Sequence, residues 1–336
     1  MAGPQPDKLG VLGAGSWGTA LAILLARNGL RVHLWSHLPE QARRLADERC
    51  NADYLPGIEL PDGLEPSADL AATLAGAREV LVVVPSHAFR QVLTAVAPLL
   101  PPEATLSWAT KGLEPGTGRL LHQVAREVLG PVSLAVVSGP SFAGEVARGL
   151  PTAITVASRE AEHASRLAGY LHSDSFRPYT SDDLVGLEVG GAVKNVMAIA
   201  AGISDGLGFG ANSRAALITR GLAEIMRLGR ALGARPETLM GLGGLGDLVL
   251  TCTDDQSRNR RMGLALARGL GVAAAREEIG QEVEGVMTAR EIHRLAREHG
   301  VEMPITEQTY RVLYQGLEPE AAVRNLLRRA FRAEIG

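Results

Sequence analysis

Two lysines of this 336-residue chain lie where a charged side chain calls for a chemical explanation. The chain has only three lysines, Lys8, Lys111 and Lys194, against 31 arginines. Lys194 is flanked by small and apolar residues, so its ammonium must meet a partner or ligand, or else extend to the surface with its stem on apolar neighbours. Because burial lowers the pKa of a lysine and a nearby carboxylate raises it, a buried lysine can be poised for proton transfer. Asp247, in a glycine-rich segment, is a candidate partner.

Lys111 belongs to one of three polar loops that follow apolar, strand-like runs. These loops are residues 84–87, 110–112 and 138–141. In a doubly wound sheet the ligand crevice lies outside the carboxyl ends of the strands, so we expect all three loops to border it. Ordinary turns are the simpler interpretation of the prolines in these loops. A lysine at such a strand end could instead face an anionic group or a developing oxyanion.

Residues 13–18, Gly-Ala-Gly-Ser-Trp-Gly, form a G-x-G-x-x-G motif between an apolar run and a helix-like segment. In such a motif Gly13 permits the tight turn, Gly15 lets the backbone approach a pyrophosphate, and Gly18 allows helix and strand to pack closely. The N–H groups at the helix N-terminus then favour an anion. The following segment, 31–35, alternates like a strand, and this context favours dinucleotide binding over a merely structural turn.

The second strand ends without the acidic residue that an NAD-selective site places about 20 residues after the motif. The sequence there reads Trp35-Ser36-His37. No carboxylate would repel a 2′-phosphate, and His37, Arg43 or Arg44 could accept one. We therefore expect NADPH, or use of both cofactors, rather than strict NAD. The alternative is that His37 is only an exposed loop histidine.

A polar segment at residues 256–261, Gln-Ser-Arg-Asn-Arg-Arg, combines amide, hydroxyl and guanidinium donors just before a helical run. Arginine beside a helix start is suited to binding phosphate. The alternative is a solvated basic face. The short separation from Asp247 along the chain favours a binding site.

The composition limits the classes of function. A formal net charge of -3 gives no general reason to bind nucleic acid or an anionic membrane. Cys50 and Cys252 are far apart and no metal-ligand spacing is present, so we expect neither a disulfide nor a metal site. The polar N-terminal residues and the lack of an uncharged apolar stretch of about 18 residues predict no membrane span and a cytoplasmic protein.

The elements that must position these residues divide the chain into two parts. Strand-like runs separated by helix-like segments predict a parallel sheet covered on both faces; they are residues 9–12, 31–35, 80–84, 105–108, 134–137 and 152–157. Beyond about Ser181 the pattern is helical; the predicted helices are 184–203, 213–232, 263–268, 288–299 and 306–314. Many small residues in 187–201 predict a close helix contact. We expect a Rossmann-type domain at 1–182 and a helical domain at 183–336.

Five blocks of the sequence, in the same order, resemble the bacterial NAD(P)-dependent glycerol-3-phosphate dehydrogenases. They are GAGSWGTALA from Gly13, WATKGLE from Trp108, SGPSFA from Ser138, EVGGAVKN from Glu188 and GLGDLVLTC from Gly244. The resemblance runs over nearly the whole chain. It implies an α/β fold in which the doubly wound parallel sheet is followed by an all-α domain like the C-terminal domain of 6-phosphogluconate dehydrogenase.

The resemblance also implies roles for residues at matching positions. Lys194 is expected to donate and accept the proton, with Lys111, Asp247 and Thr251 completing the catalytic set and Asn195 a further candidate. The expected substrate-binding residues are Lys111, Gly139, Ser141, Lys194, Asp247, Ser257, Arg258 and Asn259. The expected cofactor-binding residues, including the glycine motif, are Gly13, Gly15, Ser16, Trp17, Gly18, His37, Lys111, Ala143, Arg258, Glu282 and Glu284. Glu282 stands where the family more often has an apolar residue, and Ser141 where threonine is common.

The reaction implied is the reversible reduction of dihydroxyacetone phosphate to sn-glycerol 3-phosphate with NADPH or NADH, which supplies the backbone of phospholipids. We expect no metal ion, and we expect the protein to form a homodimer. Two other functions are compatible with the residues alone. One is a dehydrogenase of the 3-hydroxyacid or 6-phosphogluconate type, whose substrates carry a carboxylate. The other is a sensor that binds NADPH without turnover, which would not need two interior lysines and Asp247.

Overall fold

The structure, a computed structural model, describes residues 7–329. Most of its strands form one eight-stranded sheet in the order β10-β9-β8-β7-β6-β1-β2-β5, and β3 and β4 form a separate pair. In chain order the strands β1 to β10 are Lys8–Leu12, Arg31–Trp35, Cys50–Asn51, Leu55–Glu59, Leu64–Ser67, Glu79–Val82, Thr105–Trp108, Leu134–Ser138, Thr152–Ser158 and Phe176–Ser181.

The helices cover both faces of this sheet and then make up the rest of the described chain. In chain order the helices α1 to α16 are Ser16–Arg27, Pro39–Glu48, Leu70–Leu74, Ser86–Val96, Leu121–Leu129, Ala143–Ala147, Ala161–Leu171, Leu184–Gly206, Ala211–Ala231, Pro236–Met240, Asp247–Thr253, Arg258–Ala267, Val272–Ile279, Glu284–Glu298, Pro304–Gln315 and Pro319–Leu327. A 3₁₀ turn occupies Ala97–Leu99 and a π-helical segment occupies Leu242–Gly246. The doubly wound α/β fold followed by helices is thus confirmed.

The two faces of the sheet have separate cores. Leu21 of α1 and Leu167 of α7 pack in one cluster, whereas Phe89 of α4 and Val124 of α5 pack in another. Successive strand residues enter opposite clusters because side chains alternate along a strand. Strands buried on both faces read as continuous apolar runs, which is why these strands could be predicted.

Strand β9 departs from the predicted parallel arrangement, because it pairs antiparallel with β8. Strand β10 then pairs parallel with β9, so both run opposite to the rest of the sheet. The connection between β8 and β9 contains only the five-residue helix Ala143–Ala147. The parallel pairs are instead joined by longer crossover helices, as parallel pairing requires. Neither β5 nor β10 was predicted, and β6 ends at Val82 rather than at residue 84.

The centre of the helical part is α8, Leu184–Gly206, which is buried over nearly its whole length. By length and composition α8 could cross a membrane, with a mean hydropathy of 1.4, but 94% of the apolar stretch is buried inside the protein. We therefore interpret α8 as a core helix. The close helix contact predicted for residues 187–201 is confirmed: a Cβ atom built at Gly263 of α12 would lie 2.1 Å from the carbonyl oxygen of Ile199.

All five helices predicted after Ser181 are present, with ends shifted by up to five residues. No strand follows Ser181 in the described part of the chain. We propose that the boundary between the two domains lies between residues 182 and 183, immediately before α8. The outermost residues of both proposed domains, 1–6 and 330–336, lie outside the described range.

The glycine contact between α8 and α12 predicts a specific effect on stability. A Cβ atom at Gly263 would lie 2.1 Å from the carbonyl oxygen of Ile199, so Gly263→Ala must push the two backbones apart. We expect the free energy of unfolding, measured by urea denaturation, to fall by about 1–3 kcal/mol. Gly169→Ala is the matched control, because Gly169 lies in the helix Ala161–Leu171 and its Cβ would meet nothing within 4 Å. That change should stabilise by about 0.5–1 kcal/mol. Equal effects of the two substitutions would contradict the contact.

Candidate active site

The glycine motif forms the turn between β1 and α1. Gly13 has a φ of +120°, and a Cβ there would lie 2.5 Å from the carbonyl oxygen of Val83. A Cβ at Gly18 would lie 1.9 Å from the carbonyl oxygen of Gly13. Both positions therefore require glycine because of the fold itself. At Gly15, by contrast, a Cβ would meet nothing within 4 Å, so the open side of the turn lies at this residue.

A dinucleotide fits this turn. Helix α1 begins at Ser16 directly after Gly15, and no side chain caps its first N–H groups. These groups can donate to a pyrophosphate, and the helix dipole adds to the attraction. Trp17 follows, half-buried, in the first turn of the helix. The open space at Gly15 leaves room for a ligand to approach the backbone, which is the role that the motif predicts for this glycine.

Two buried amides that the sequence analysis missed brace the same turn. Gln41 and Asn51 both donate from their side chains to the carbonyl oxygen of Ala14, at 2.9 and 3.0 Å. The Asn51 side chain also donates to the Thr19 hydroxyl at 2.7 Å. Their partners lie more than twenty residues away, so no local pattern could reveal them. They hold the peptide between Gly13 and Gly15 in place.

The candidates for a 2′-phosphate site differ in their surroundings. His37 is exposed just beyond β2. Arg43 is ion-paired with Glu40 at 2.5 Å, and Arg44 is ion-paired with Asp53. Both arginines already have a carboxylate partner, so His37 is the candidate of the three that the structure leaves most available.

Lys111, Lys194 and Asp247, from three distant parts of the chain, meet in one cluster. Lys111 follows β7 and donates from Nζ to Asp247 Oδ2 at 2.5 Å. Lys194, in the middle of α8, donates to Asp247 Oδ1 at 2.8 Å and to the hydroxyl oxygen of Thr251 at 2.8 Å. Thr251 in turn donates to the carbonyl oxygen of Asp247 at 2.6 Å. The predicted Lys194–Asp247 partnership is present in the structure.

Glycines let the segment before Asp247 lie close against α8. A Cβ at Gly190 of α8 would lie 2.4 Å from the carbonyl oxygen of Gly243. Gly243 belongs to the π-helical segment Leu242–Gly246, which ends immediately before Asp247. This close approach places Asp247, the first residue of α11, against α8 and its lysine.

Burial and charge compete at the members of this cluster. Burial alone would raise the pKa of Asp247, but Lys111 and Lys194 outweigh it and hold this pKa below its usual value. For Lys194, desolvation dominates over the attraction of Asp247, Lys111 adds repulsion, and the pKa falls to about 8. Lys194 is only 7% exposed, so it does not extend to the surface. An amine with this pKa can gain or lose a proton near neutral pH.

The loop after β8 lies beside Lys111. The carbonyl oxygen of Gly139 accepts from Lys111 Nζ at 3.4 Å and from the Ser141 hydroxyl at 3.1 Å. Gly139 has a φ of +149°, and a Cβ there would lie 2.9 Å from the Cα of Ile154, so this position needs glycine. Ala143 begins the short helix α6 at the end of the same loop.

The segment 257–259 forms the start of α12. Ser257 caps the helix through its hydroxyl, which accepts from the backbone N–H of Arg260 at 3.2 Å. Within residues 7–329 the guanidinium of Arg258 makes no hydrogen bond or ion pair, so it is available to a ligand. Asn259 is different, because its amide is already in use. It donates to Asn195 Oδ1 at 2.9 Å and accepts from the Gly285 backbone N–H at 2.9 Å.

The segment before α14 carries the two predicted glutamates. Desolvation raises the pKa of Glu284 above its usual value, although nearby Arg258, Lys111 and Lys194 act to lower it. Glu284 therefore belongs to the same electrostatic environment as the cluster. Glu282 is half-buried and meets Arg276 at 3.4 Å.

The arrangement combines a nucleotide-binding turn, a desolvated amine and an unpaired guanidinium at a helix N-terminus. It can bind a dinucleotide, move a proton and hold an anionic substrate. In the described range no group of three or more His, Cys, Asp or Glu side chains could hold a metal ion.

Two family models match the chain. The N-terminal model of NAD-dependent glycerol-3-phosphate dehydrogenase matches residues 8–164, and the C-terminal model of the same family matches residues 183–324. The chain belongs to the NAD-dependent glycerol-3-phosphate dehydrogenase family. Membership agrees with the glycine motif. It also agrees with the cluster, to which the N-terminal segment contributes Lys111 and the C-terminal segment contributes Lys194 and Asp247.

Individual members of the family are similar over nearly the whole chain. A glycerol-3-phosphate dehydrogenase [NAD(P)+] of Methylococcus capsulatus is 62% identical over 96% of this chain and 96% of its own length. That of Shewanella sediminis is 59% identical over the same shares. The crystal structure of glycerol-3-phosphate dehydrogenase from Coxiella burnetii is 49% identical, with a TM-score of 0.95, and covers 97% of this chain and all of its own.

Asp247→Asn tests the electrostatic core of this glycerol-3-phosphate dehydrogenase family member. The substitution leaves the buried Lys194 ammonium and the partly buried Lys111 ammonium without a counter-charge, so we expect the free energy of unfolding at pH 7 to fall by about 3–5 kcal/mol. At pH 9 Lys194 is mostly neutral in the unaltered protein, so Asp247 stabilises no charge on it there. The loss of stability caused by the substitution should therefore be smaller at pH 9 than at pH 7. Urea denaturation at both pH values measures the two effects. Asp62→Asn, which removes an exposed carboxylate, is the control and should change little. Equal losses at pH 7 and pH 9 would contradict this account.

Proposed function

We propose that this protein interconverts dihydroxyacetone phosphate and sn-glycerol 3-phosphate with NADPH or NADH. The observation that carries the proposal is the buried Lys194, which hydrogen-bonds Asp247 and Thr251 and shares Asp247 with Lys111. A desolvated ammonium with a pKa of about 8 is suited to protonate an oxygen as a carbonyl is reduced. Family membership supports the choice of substrate over the hydroxyacid alternatives.

In the proposed mechanism the residues of the cluster have distinct tasks. The nicotinamide, when bound, supplies or accepts the hydride at the substrate's C2 carbon. Lys194 gives its proton from Nζ to the carbonyl oxygen, and in the reverse direction neutral Lys194 takes the proton from the hydroxyl. Lys111 stabilises the charge that develops on oxygen. Asp247 and Thr251 fix the direction of the Lys194 ammonium before the reaction, which is when such donors contribute most.

We propose that the substrate phosphate binds at the start of α12, with Arg258 as its main charge partner. The backbone N–H groups of Arg258 and Asn259 lie in the first turn of α12, where backbone N–H groups have no acceptor within the helix. Ser257 caps this turn, and Gly139 and Ser141 would hold the opposite side of the substrate near Lys111. Binding energy from the phosphate then orients the carbonyl at Lys194.

For the cofactor we propose the turn at Gly13, Gly15 and Gly18, with the pyrophosphate at the N-terminus of α1. The remaining proposed contacts are Ser16, Trp17, His37, Lys111, Ala143, Arg258, Glu282 and Glu284. The missing carboxylate after β2 and the exposed His37 favour NADPH. We further propose a cytoplasmic homodimer whose product supplies phospholipid synthesis.

The direct test is oxidation of NADPH, and separately of NADH, when dihydroxyacetone phosphate is added to the purified protein. Loss of reduced-nicotinamide absorbance should require the phosphorylated ketone, and kcat/KM should be higher with NADPH. A panel of 2-keto and 3-keto acids serves as the comparison. Turnover of a keto acid alone would refute the substrate. Binding of NADPH with no turnover of either class would favour the sensor, and a strong preference for NADH would refute the proposed role of His37.

Lys194→Ala tests the proton donor. We expect kcat to fall by about 10²–10⁴-fold while NADPH binding, followed by fluorescence titration, stays near normal. Lys8→Ala is the matched control, because the Lys8 ammonium bonds the carbonyl oxygens of Ala72 and Ala75 at the opposite end of β1. Retention of most turnover in Lys194→Ala would exclude it as the acid.

The pH dependence of the unaltered enzyme tests the same role. Reduction needs protonated Lys194, so its kcat/KM should fall as the pH rises through about 8. Oxidation of glycerol 3-phosphate needs neutral Lys194, so its kcat/KM should rise over the same range. Parallel profiles in the two directions would contradict the assignment.

A further inference from the structure

Helix α12, which carries the proposed phosphate site, lies directly against α8, which carries Lys194. A Cβ built at Gly202 of α8 would lie 2.1 Å from the carbonyl oxygen of Arg260, and one built at Gly263 of α12 would lie 2.1 Å from that of Ile199. These glycines set the distance between the two helices. Having no side chains, they do not by themselves fix the orientation of the first turn of α12.

A largely buried ion pair connects that first turn to the end of α8. Arg260 donates from its guanidinium to Asp205 Oδ2 at 2.5 Å, and the two side chains are only 10% and 11% exposed. Arg214 of α9 donates to the same carboxylate oxygen at 2.7 Å but is 32% exposed. The carboxylate of Asp255 also lies near the Arg260 guanidinium, at 2.9 Å, but it is 71% exposed and therefore strongly solvated. Asp205 is thus the less exposed of the two carboxylates that pair with Arg260.

We propose that Asp205 is a positioning residue for the substrate phosphate. Asp205 and Lys194 belong to the same helix, and Arg260 lies in the same helical turn as Arg258. Through Arg260, Asp205 fixes the phosphate site relative to the proton donor, so it determines how well a substrate anchored by its phosphate presents its carbonyl to Lys194. This inference rests on the proposed function.

The ion pair is one of two side-chain polar contacts between the start of α12 and α8, both of which lie within residues 7–329. The other is the hydrogen bond from Asn259 to Asn195, at 2.9 Å. Because that bond and the glycine contacts remain when Asp205 is altered, we expect the helices to stay packed while the first turn of α12 loses its fixed orientation. Displacements of about 1 Å far from the reacting atoms can cost about 10²-fold in rate.

The test compares two substrates that differ only in the phosphate, dihydroxyacetone phosphate and dihydroxyacetone. In Asp205→Ala we expect kcat/KM for the phosphorylated ketone to fall by about 10–100-fold, mainly through KM. The value for dihydroxyacetone should change by less than about threefold, since this substrate does not use the phosphate site. Asp205→Asn, which keeps an acceptor oxygen but not the charge, should lie between Asp205→Ala and the unaltered enzyme.

Arg214→Gln is the matched control, because it removes the other guanidinium from Asp205 and leaves the Arg260 contact intact. It should change kcat/KM for the phosphorylated ketone by less than about twofold. If Asp205→Ala does not fold, Arg260→Gln removes the same contact from its other end, and the same difference between the two substrates is expected.

Three outcomes would overturn the inference: an unchanged KM for dihydroxyacetone phosphate, equal losses with both ketones, or the same effect in Arg214→Gln. The unaltered enzyme keeps the two proposals apart. If it does not turn over dihydroxyacetone phosphate, the proposed function fails. If it turns over dihydroxyacetone phosphate, but the variants lose kcat/KM equally on both substrates, the proposed function stands and Asp205 has only a structural role.

Discussion

The carboxylate of Asp247 is the contact on which the rest of the site depends. It is 1% exposed and receives one ammonium on each oxygen, Lys194 on Oδ1 and Lys111 on Oδ2. Burying charges is costly unless each is paired and hydrogen-bonded, and here the Thr251 hydroxyl completes the contacts of the buried Lys194. Two ammonium groups against one carboxylate leave the cluster with a net positive charge when Lys194 is protonated. That excess is suited to an anionic substrate and to charge that develops on oxygen during reduction.

This cluster depends on two glycines of α8, Gly190 and Gly191, which let neighbouring segments lie close against the helix. A Cβ at Gly190 would press on the carbonyl oxygen of Gly243 at 2.4 Å, and one at Gly191 would lie 3.6 Å from the Cγ of Lys111 and 3.0 Å from the Ser138 hydroxyl. A Cβ at Gly190 would push the segment before α11 away from the helix, and one at Gly191 would press on Ser138 at the end of β8. Glycine in a helix interior costs about 1 kcal/mol relative to alanine, so the helix gives up intrinsic stability to let the charged groups meet.

Local pattern was sufficient for the parts of the fold that are buried and periodic, and insufficient elsewhere for identifiable reasons. The inner strands read as apolar runs and were predicted. The two edge strands, β5 and β10, contain Pro66 and Pro178 and are partly exposed, which is tolerated at an edge but hides the pattern. The antiparallel direction of β9 depends on how the connection from β8 packs. The hydrophobic periodicity of the sequence gives no information about that packing. In the site, the lysines and Asp247 could be identified from their types and surroundings. The buried amides of Gln41 and Asn51 could not, because their common acceptor is a backbone oxygen far along the chain.

Asn259 shows most clearly what a motif leaves open. The family resemblance implies that it contacts the substrate, yet its side chain joins α12 to Asn195 of α8 and to the backbone of Gly285 at the start of α14. The proposed proton donor, phosphate site and Glu284 therefore lie on three helices that meet at one uncharged group. An amide is suited to this position because it donates and accepts at the same time, whereas an ionised carboxylate can only accept and could not donate to Asn195. What remains for a ligand is the second amide hydrogen and the backbone N–H of Asn259. The contribution of this residue to substrate binding is consequently inseparable from its contribution to the arrangement of the helices around Lys194.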